Sequence, residues 1–594
     1  MLFLRKKFHK KLQILIAIAL VLSWTLTMFW IAKAFKQRLT YEDALIKVSP
    51  THSSPSDFRI IDKSKINVGQ TLRGENRLNE YGRNGIKDAT QPRRFSDIIK
   101  EFNISLYKDT SADRFHINVN KTHNISVNRE VIDTRPAECA SVKYNILLLP
   151  RASIVIPVYN EPWSTLERLI NSVLKHSPRS LIHEIMIIDD QSDLEHLGAP
   201  LDKYVEQFDF MHLYRSKERL GTMKSRMFGT KKAEAEVIVF LDSHTEVNSG
   251  WLEPILYEIS VNKTAIVQPS IDVIDAQTFE YRKYFDNNRR GHFRWNMGYH
   301  FVPLHPKQQA EVIANPTKAF DTPAIVGCAF AVNRKYFTDI GGLDTDMRTW
   351  GGEDVELSIR VWLCGGSMKI SPCSHVAHIF KAGHPFKMDY SDLVYNNRRT
   401  AELWLGNYKK YFYYFSAGFA KPPDPSDKFD IMDPVKEKFK CKDFGWFLRN
   451  VFPELEVPPA GSEYFGNLRN SVSGQCFGLA NSAVLLSHPL ITTAECYFYY
   501  QVKNFALLEN GRLMVEGKCV KVEKGFLVVA PCSTRIGKWS LKDKKLMYAE
   551  GSQCAMQVPK EVKNEKLQVI GLVSCNKTDN TSEWEIATKI FKGS

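Results

Sequence analysis

Asp242 and His244 stand two residues apart in Val237–Leu252, VIVFLDSHTEVNSGWL. A carboxylate and an imidazole on one side, with nothing closing round them, suit an open divalent-metal position that a phosphate can complete. An isolated Asp-x-His serves a polar turn more often than a metal, so its surroundings decide. Asp189 and Asp190 are further acids that can either cap a turn or face a ligand. Arg219 is a cation of the type that meets phosphate, although an arbitrary arginine lies on the surface. His375 and His378 follow in Pro372–Lys381, PCSHVAHIFK. A histidine downstream of a metal-ready Asp-x-His carries more weight than one standing alone.

Strands and helices must position these groups. Val237–Leu241 is apolar and β-branched, which predicts a buried strand, and side-chain alternation then turns Asp242 and His244 to one face. Ser153–Val158 (SIVIPV) is a second strand. Thr165–Lys175 spaces Leu166, Leu169, Ile170, Val173 and Leu174 as a helix, and Glu184–Ile188 is a strand ending in Asp189 and Asp190. Strand, helix and strand with carboxylates at the exit describe half of a nucleotide-binding α/β sheet. Met211–Tyr214 predicts a short strand, and Thr222–Ala235 a helix. Ala324–Val332 (AIVGCAFAV) predicts a strand approached closely by a backbone or ligand. Thr349–Gly366 (TWGGEDVELSIRVWLCGG) opens on a Gly-Gly turn beside Trp350 and continues as an amphipathic helix.

The 594 residues, 44% hydrophobic and 12% aromatic, can bury several cores. Much of the +14 formal charge falls near the N-terminus and in Lys63–Arg94, flanks rather than a folded basic face, so nucleic acid is the poorer partner. Leu12–Ala32 carries no charge and is long enough for one helical crossing of a bilayer. Lysines and arginines precede it, which puts the N-terminus in the cytoplasm and the rest in the lumen. An oxidising lumen gives the eleven cysteines a role and makes Asn103, Asn120, Asn124, Asn262, Asn576 and Asn580 candidate glycan acceptors. Residues 33–140 are polar and lack sustained periodicity, as in a stem, with Tyr81–Asp88 a possible short packed element. After the proline-rich linker at 453–472, three all-β repeats of about 40 residues each hold one cysteine pair, the pattern of a β-trefoil.

The motifs VYNEPWSTLERLINSVL, IDDQSD, FLDSHTEVNSGWLEPIL, PSIDVIDAQTFEY, TWGGEDVELSIRVWLCGG, HVAHIFK and CKDFGWFLRNVFPE, in that order, resemble the polypeptide N-acetylgalactosaminyltransferase family. That resemblance covers most of the chain after the stem. It implies an α/β GT-A catalytic domain (141–452, a Rossmann-like mixed sheet) and an all-β ricin-type β-trefoil (473–594). Ahead of them would stand a cytoplasmic tail (1–11) and a signal-anchor helix (12–32) holding the protein in the Golgi membrane as a single-pass type II protein. It implies UDP-GalNAc as donor, Mn²⁺ as cofactor, protein Ser/Thr hydroxyls as acceptors and retention at the anomeric carbon. Motif by motif, it places the metal on Asp242, His244 and His378, and donor contacts on Asp190, Arg219, Ser243, Cys328 and Lys381. Trp350 becomes the lid residue and Glu353 the acid near the reacting centre. It also pairs Cys139 with Cys373 and Cys364 with Cys441. With the lobe bridges Cys476–Cys496, Cys519–Cys532 and Cys554–Cys575, Cys328 is left over.

Several positions depart from the family pattern. Asp354 replaces an asparagine, Pro157 a residue that commonly offers a hydroxyl, Cys328 a glycine, and Lys381 an arginine with a bidentate fork. Phe386 lacks a hydroxyl, and a Gly-Gly tail after it is missing. No lobe of the trefoil carries the sugar-binding acid, since Cys476-Phe477-Gly478, Cys519-Val520-Lys521 and Cys554-Ala555-Met556 all lack it, so a folded but weak or silent lectin is expected. The departures leave two further readings: a non-catalytic relative that binds protein or glycopeptide, and a transferase with an altered donor or an acceptor restricted to glycopeptides.

Overall fold

The computed structural model describes residues 92–106, 112–284, 288–386, 388–416, 419–424, 427–479, 488–496, 502–532, 537–548, 552–562, 565–577 and 582–589. Leu12–Ala32 and Tyr81–Asp88 lie outside them. Among the described residues no helix is long and apolar enough to cross a membrane.

The first layer is a mixed sheet. Its strands are β1 (Ala152–Val158), β2 (Ile182–Asp189), β3 (Met211–Arg215), β4 (Val237–Leu241), β5 (Thr245–Val247), β6 (Ala265–Ile274), β7 (Tyr281–Arg282), β10 (Phe320–Asp321), β11 (Ala329–Asn333) and β12 (Ser367–Ile379). β8 (Arg289–Phe293) and β9 (Tyr299–Pro303) pair apart as a hairpin. The main order is β10-β12-β6-β11-β4-β1-β2-β3. β4, β1, β2 and β3 run parallel, so their carboxyl ends share one edge. β11 enters antiparallel between β4 and β6.

Alternation along β1 sends Ile154, Ile156 and Val158 into one core and Val155 into the other. The helix Trp163–His176 covers the first face through Leu166, Leu169, Ile170 and Val173. The opposite face packs against helices Thr222–Lys232 and Glu353–Leu363. Each face buries a continuous apolar layer, at roughly 25 cal/mol per Å² of apolar surface removed from water.

The end of the expected stem is folded. Phe95, Ile98, Ile99, Phe115, Ile117 and Val119 are buried in the first core, and Cys139 is bonded to Cys373 on β12. These apolar residues are split among short helices, Phe95–Glu101, Ala112–Phe115 and Val119–His123, and the bend at Ile117, too short to show a period. Likewise Ser462–Asn470, inside the stretch read as linker, is the first strand of the C-terminal layer.

That layer holds twelve strands between Ser462 and Lys589 among the described residues. Three disulfides, Cys476–Cys496, Cys519–Cys532 and Cys554–Cys575, each close one repeat. The last strand of each repeat starts with an aromatic, Phe505, Trp539 or Trp584, and all three meet in one core. Trp539 and Trp584 donate their indole N–H to the Val520 and Ala555 carbonyls at 3.4 and 2.8 Å, and Phe505 has no such donor. Phe415 meets Phe465 edge-on across the two layers, with ring centroids 6.1 Å apart. Cys364–Cys441 completes the five bridges. Of the sequon asparagines, Asn103, Asn120, Asn124 and Asn576 are exposed. Asn262 is half-buried and donates to Ser367 Oγ at 3.3 Å, and Asn580 lies outside the described residues.

Candidate active site

Asp242, His244 and His378 present ligand atoms that all lie within 4.8 Å of one another. Asp242 and His244 do not meet by strand alternation, because β4 ends at Leu241 and a tight turn follows, closed by Thr245 N–H donating to the Asp242 carbonyl at 3.2 Å. His378 arrives because β5 pairs antiparallel with β12, His378 opposite Thr245. His375, three residues earlier on β12, instead meets Asp272 and Thr134 at 3.0 Å inside the protein, an odd strand spacing that turns the two imidazoles apart.

Glu161 organises this cluster. It is buried, and its carboxylate accepts from Ser243 Oγ at 2.9 Å and from Thr165 Oγ1 at 3.0 Å, faces His244 Nδ1 at 3.0 Å and pairs with Lys381 Nζ at 3.1 and 3.2 Å. Burial pushes the carboxyl up, but Lys381, His244 and Ser243 outweigh it and hold the group well below the usual range. Engaging Nδ1 frees His244 Nε2 for a metal, the arrangement that orients metal-bound histidines. Ser243 and Lys381 thus both pair with Glu161. Glu161→Gln should weaken Mn²⁺ binding about 10- to 100-fold, as loss of such supporting contacts does. Calorimetric Mn²⁺ titration tests this, and unchanged affinity would refute the orienting role.

A second centre is Arg226, on the helix Thr222–Lys232 and 2% exposed. It donates to Asp242 Oδ1 at 2.7 Å, Glu353 Oε1 at 3.3 Å and the Gly327 carbonyl at 2.7 Å. For Asp242, burial again raises the carboxyl and Arg226 with the two histidines more than reverses it. Glu353 is shifted upward by burial despite Arg226, and its Oε2 is buried with no hydrogen-bond partner among the described residues. Glu161 lies in the family motif VYNEP without a role attached to it there, and Arg226 is in none of the quoted motifs. Glu161 follows the end of β1 by three residues, a usable signal, whereas nothing local marks Arg226.

Asp354 lies beside Glu353, and burial and that neighbour push its carboxyl up to about 7. The native state therefore holds this proton more tightly than the unfolded chain, whose aspartates titrate near pH 4. Stability contributed by the proton is present below about pH 4 and is lost as pH rises toward 7. Asp354→Asn should raise Tm near pH 7, the gain shrinking as pH falls to about 4; a gain independent of pH would contradict the shift. The Cys328 thiol is buried in the first core and raised by burial and by Asp242, while its carbonyl accepts from Asp242 N–H at 2.9 Å.

Asp190 accepts from the amides of Leu220 (2.5 Å) and Gly221 (2.9 Å) and pairs with Arg219, holding the turn at the helix entrance. The Arg219 guanidinium lies over the Tyr159 ring at 3.7 Å and near Phe386 at 5.2 Å. Phe386 stacks on His384 with centroids 5.1 Å apart, and His384 meets Trp350 at 4.4 Å. The mouth is thus edged by cation and aromatic faces. Pro157 lies on β1 opposite Ile188.

One oxygen and two imidazoles form a borderline donor set that accepts Mn²⁺ as well as other divalent first-row metals. Residues 153–341 match the Glycosyl transferase family 2 profile, and 309–385 match that of the N-terminal domain of galactosyltransferase. The chain is 33% identical to polypeptide N-acetylgalactosaminyltransferase 3 of Homo sapiens over 84% of its own length and 81% of that relative's. The chain belongs to the polypeptide N-acetylgalactosaminyltransferase family. It is 39% identical to family member 4 of Mus musculus over 61% of this chain, a match spanning only 62% of that relative's length. A crystal structure titled as GalNAc-T7 with UDP, GalNAc and Mn²⁺ superposes with a TM-score of 0.56 at 26% identity, covering 84% of this chain and 90% of that one. Within the family's GT-A fold the metal-ready triad lies beyond the carboxyl end of β4, where open α/β sheets collect ligands.

Proposed function

We propose that this chain transfers N-acetylgalactosamine from UDP-GalNAc to Ser or Thr hydroxyls of polypeptides with retention, initiating mucin-type O-glycosylation. The observation that carries the reading is the convergence of Asp242, His244 and His378 on one point in a chain of this family. Asp242, His244 and His378 would hold Mn²⁺, which would supply charge neutralisation for a departing diphosphate. Glu161 fixes the His244 imidazole, and Arg226 holds the Asp242 and Glu353 carboxylates in place. Glu353, held by Arg226 through Oε1 and with Oε2 left without a partner among the described residues, is joined to this cluster through that guanidinium. Trp350 and the aromatic rim keep water from the anomeric carbon. Arg219 and Asp190 shape the nucleotide end of the site. Leu12–Ala32 anchors the protein in the Golgi membrane with both layers in the lumen.

The test is the purified full chain with UDP-GalNAc, Mn²⁺ and naked or preglycosylated Ser/Thr peptides, read by peptide mass and free UDP. Chelator-sensitive sugar on peptide is expected. Silence in both readouts from folded protein would sink the reading and favour a binding-only relative, for which the Asp354 carboxyl and buried Cys328 thiol beside the metal acid are the motivating features. The trefoil is proposed to bind sugar weakly, because the position two after each lobe's first cysteine is Gly478, Lys521 or Met556 and offers no carboxylate. Micromolar binding of a GalNAc-glycopeptide that survives Asp242→Asn and needs the C-terminal layer would refute that.

A further inference from the structure

The loop Asp344–Gly352 carries Trp350, and one buried side chain makes four hydrogen bonds to its backbone. Asn396, on the helix Tyr390–Trp404, is 0% exposed. Its Nδ2 donates to the carbonyls of Arg348 (2.8 Å), Gly351 (2.8 Å) and Trp350 (3.4 Å). Its Oδ1 accepts from Arg348 N–H at 2.7 Å. One turn earlier, Asp392 accepts from the Thr349 hydroxyl at 2.9 Å. A primary amide alone supplies two donors and an acceptor from one short side chain. An aspartate there would offer no donor and would set a charge against three carbonyls.

The loop's other flank reaches the nucleotide end of the site. The Thr349 carbonyl accepts from Thr222 N–H at 2.9 Å. A Cβ on Gly221, whose φ is +79°, would stand 2.6 Å from that carbonyl, so the approach depends on glycine. The same turn is held by Asp190 through the Leu220 and Gly221 amides. Asn396 thus fixes one side of a loop whose other side touches a turn built on a donor-site acid.

We propose that Asn396 is a positioning residue that keeps Arg348–Gly351 in place with Trp350 over the mouth, and so sets how the activated sugar divides between acceptor hydroxyl and water. This rests on the transferase reading. In the side reaction, water forms the new C–O bond at the anomeric carbon, the bond to the β-phosphate oxygen breaks, and GalNAc, UDP and a proton are released. A loop that spends more time displaced admits water and raises that branch.

Two readouts on the full chain test the proposal. Trypsin cleavage after Arg348, whose side chain is 52% exposed, reports loop displacement without any turnover. With UDP and Mn²⁺ present, Asn396→Ala and Asn396→Asp should each speed that cleavage about tenfold, through local opening rather than global unfolding. The ratio of free UDP to glycosylated peptide should rise severalfold, with Asn396→Gln recovering part of the change. Asp392→Asn, at a less buried position, should move both readouts in the same direction by less, and remains informative if the Asn396 variants do not fold. Unchanged cleavage at Arg348 in folded variants overturns the proposal, and faster cleavage with an unchanged ratio overturns its link to partition. If the parent protein transfers no sugar, the transferase reading fails, while the cleavage rates still decide whether Asn396 holds the loop.

Discussion

Asp242→Asn is expected to lower turnover by on the order of 10³-fold or more, while the protein stays folded. The amide keeps the shape and can still accept from Arg226 at the 2.7 Å position of Oδ1, so packing is preserved. What is lost is the negative charge that would hold a divalent cation between two imidazoles. Electrostatic stabilisation of a leaving group is worth about 3–4 kcal/mol for a single preorganised donor, and a metal contributes at least as much. The variant should also show weak Mn²⁺ binding in a direct titration, and saturating metal should restore only part of the rate. Retained turnover at ordinary Mn²⁺ would remove the metal assignment from Asp242.

Arg226→Met should be the most destabilising single change near the site, at about 3–5 kcal/mol, because removing one partner of a buried ion pair strands the others. Two carboxylates depend on this guanidinium, Asp242 at 2.7 Å and Glu353 at 3.3 Å. Left without it, Glu353 would sit in the interior without its guanidinium, while Asp242, whose side chain is 23% exposed, would keep His378 at 3.6 Å. Activity should fall with stability, but the two are separable. Adding Glu353→Gln to Arg226→Met should recover part of the unfolding free energy in urea, since one stranded charge is gone, without recovering turnover. The stability deficit should also narrow at acid pH, where the stranded carboxylates take up protons. A well-folded Arg226→Met protein with ordinary urea sensitivity would show that the three-way contact contributes nothing.

Much of this architecture is legible in local pattern. The apolar runs of β1, β2 and β4 and the 3.6-residue period of Trp163–His176 report which faces are buried, because burial acts on neighbours a few residues apart. The three cysteine pairs of the C-terminal layer are close in sequence, separated by 20, 13 and 21 residues, so their spacing carries the repeat. Asp242, His244 and His378 are legible as residue types, and the family resemblance joins them. The folded end of the stem was hidden because its apolar residues are scattered over helices too short to show a period.

The sequence alone determined the layers, the repeat and the identities of the metal-ready side chains, since these follow from short-range periodicity and from chemistry each residue carries with it. The resemblance already separates His378 from His375, and only the tertiary structure shows how His378 reaches the other two, through the antiparallel pairing of β5 with β12. The tertiary structure alone turned Lys381 and Ser243 onto Glu161, set Arg226 between two acids, and laid Asn396 against the loop that carries Trp350. Those contacts join residues tens to hundreds of positions apart. Their geometry is set by how sheet and helices pack, and no local pattern encodes it.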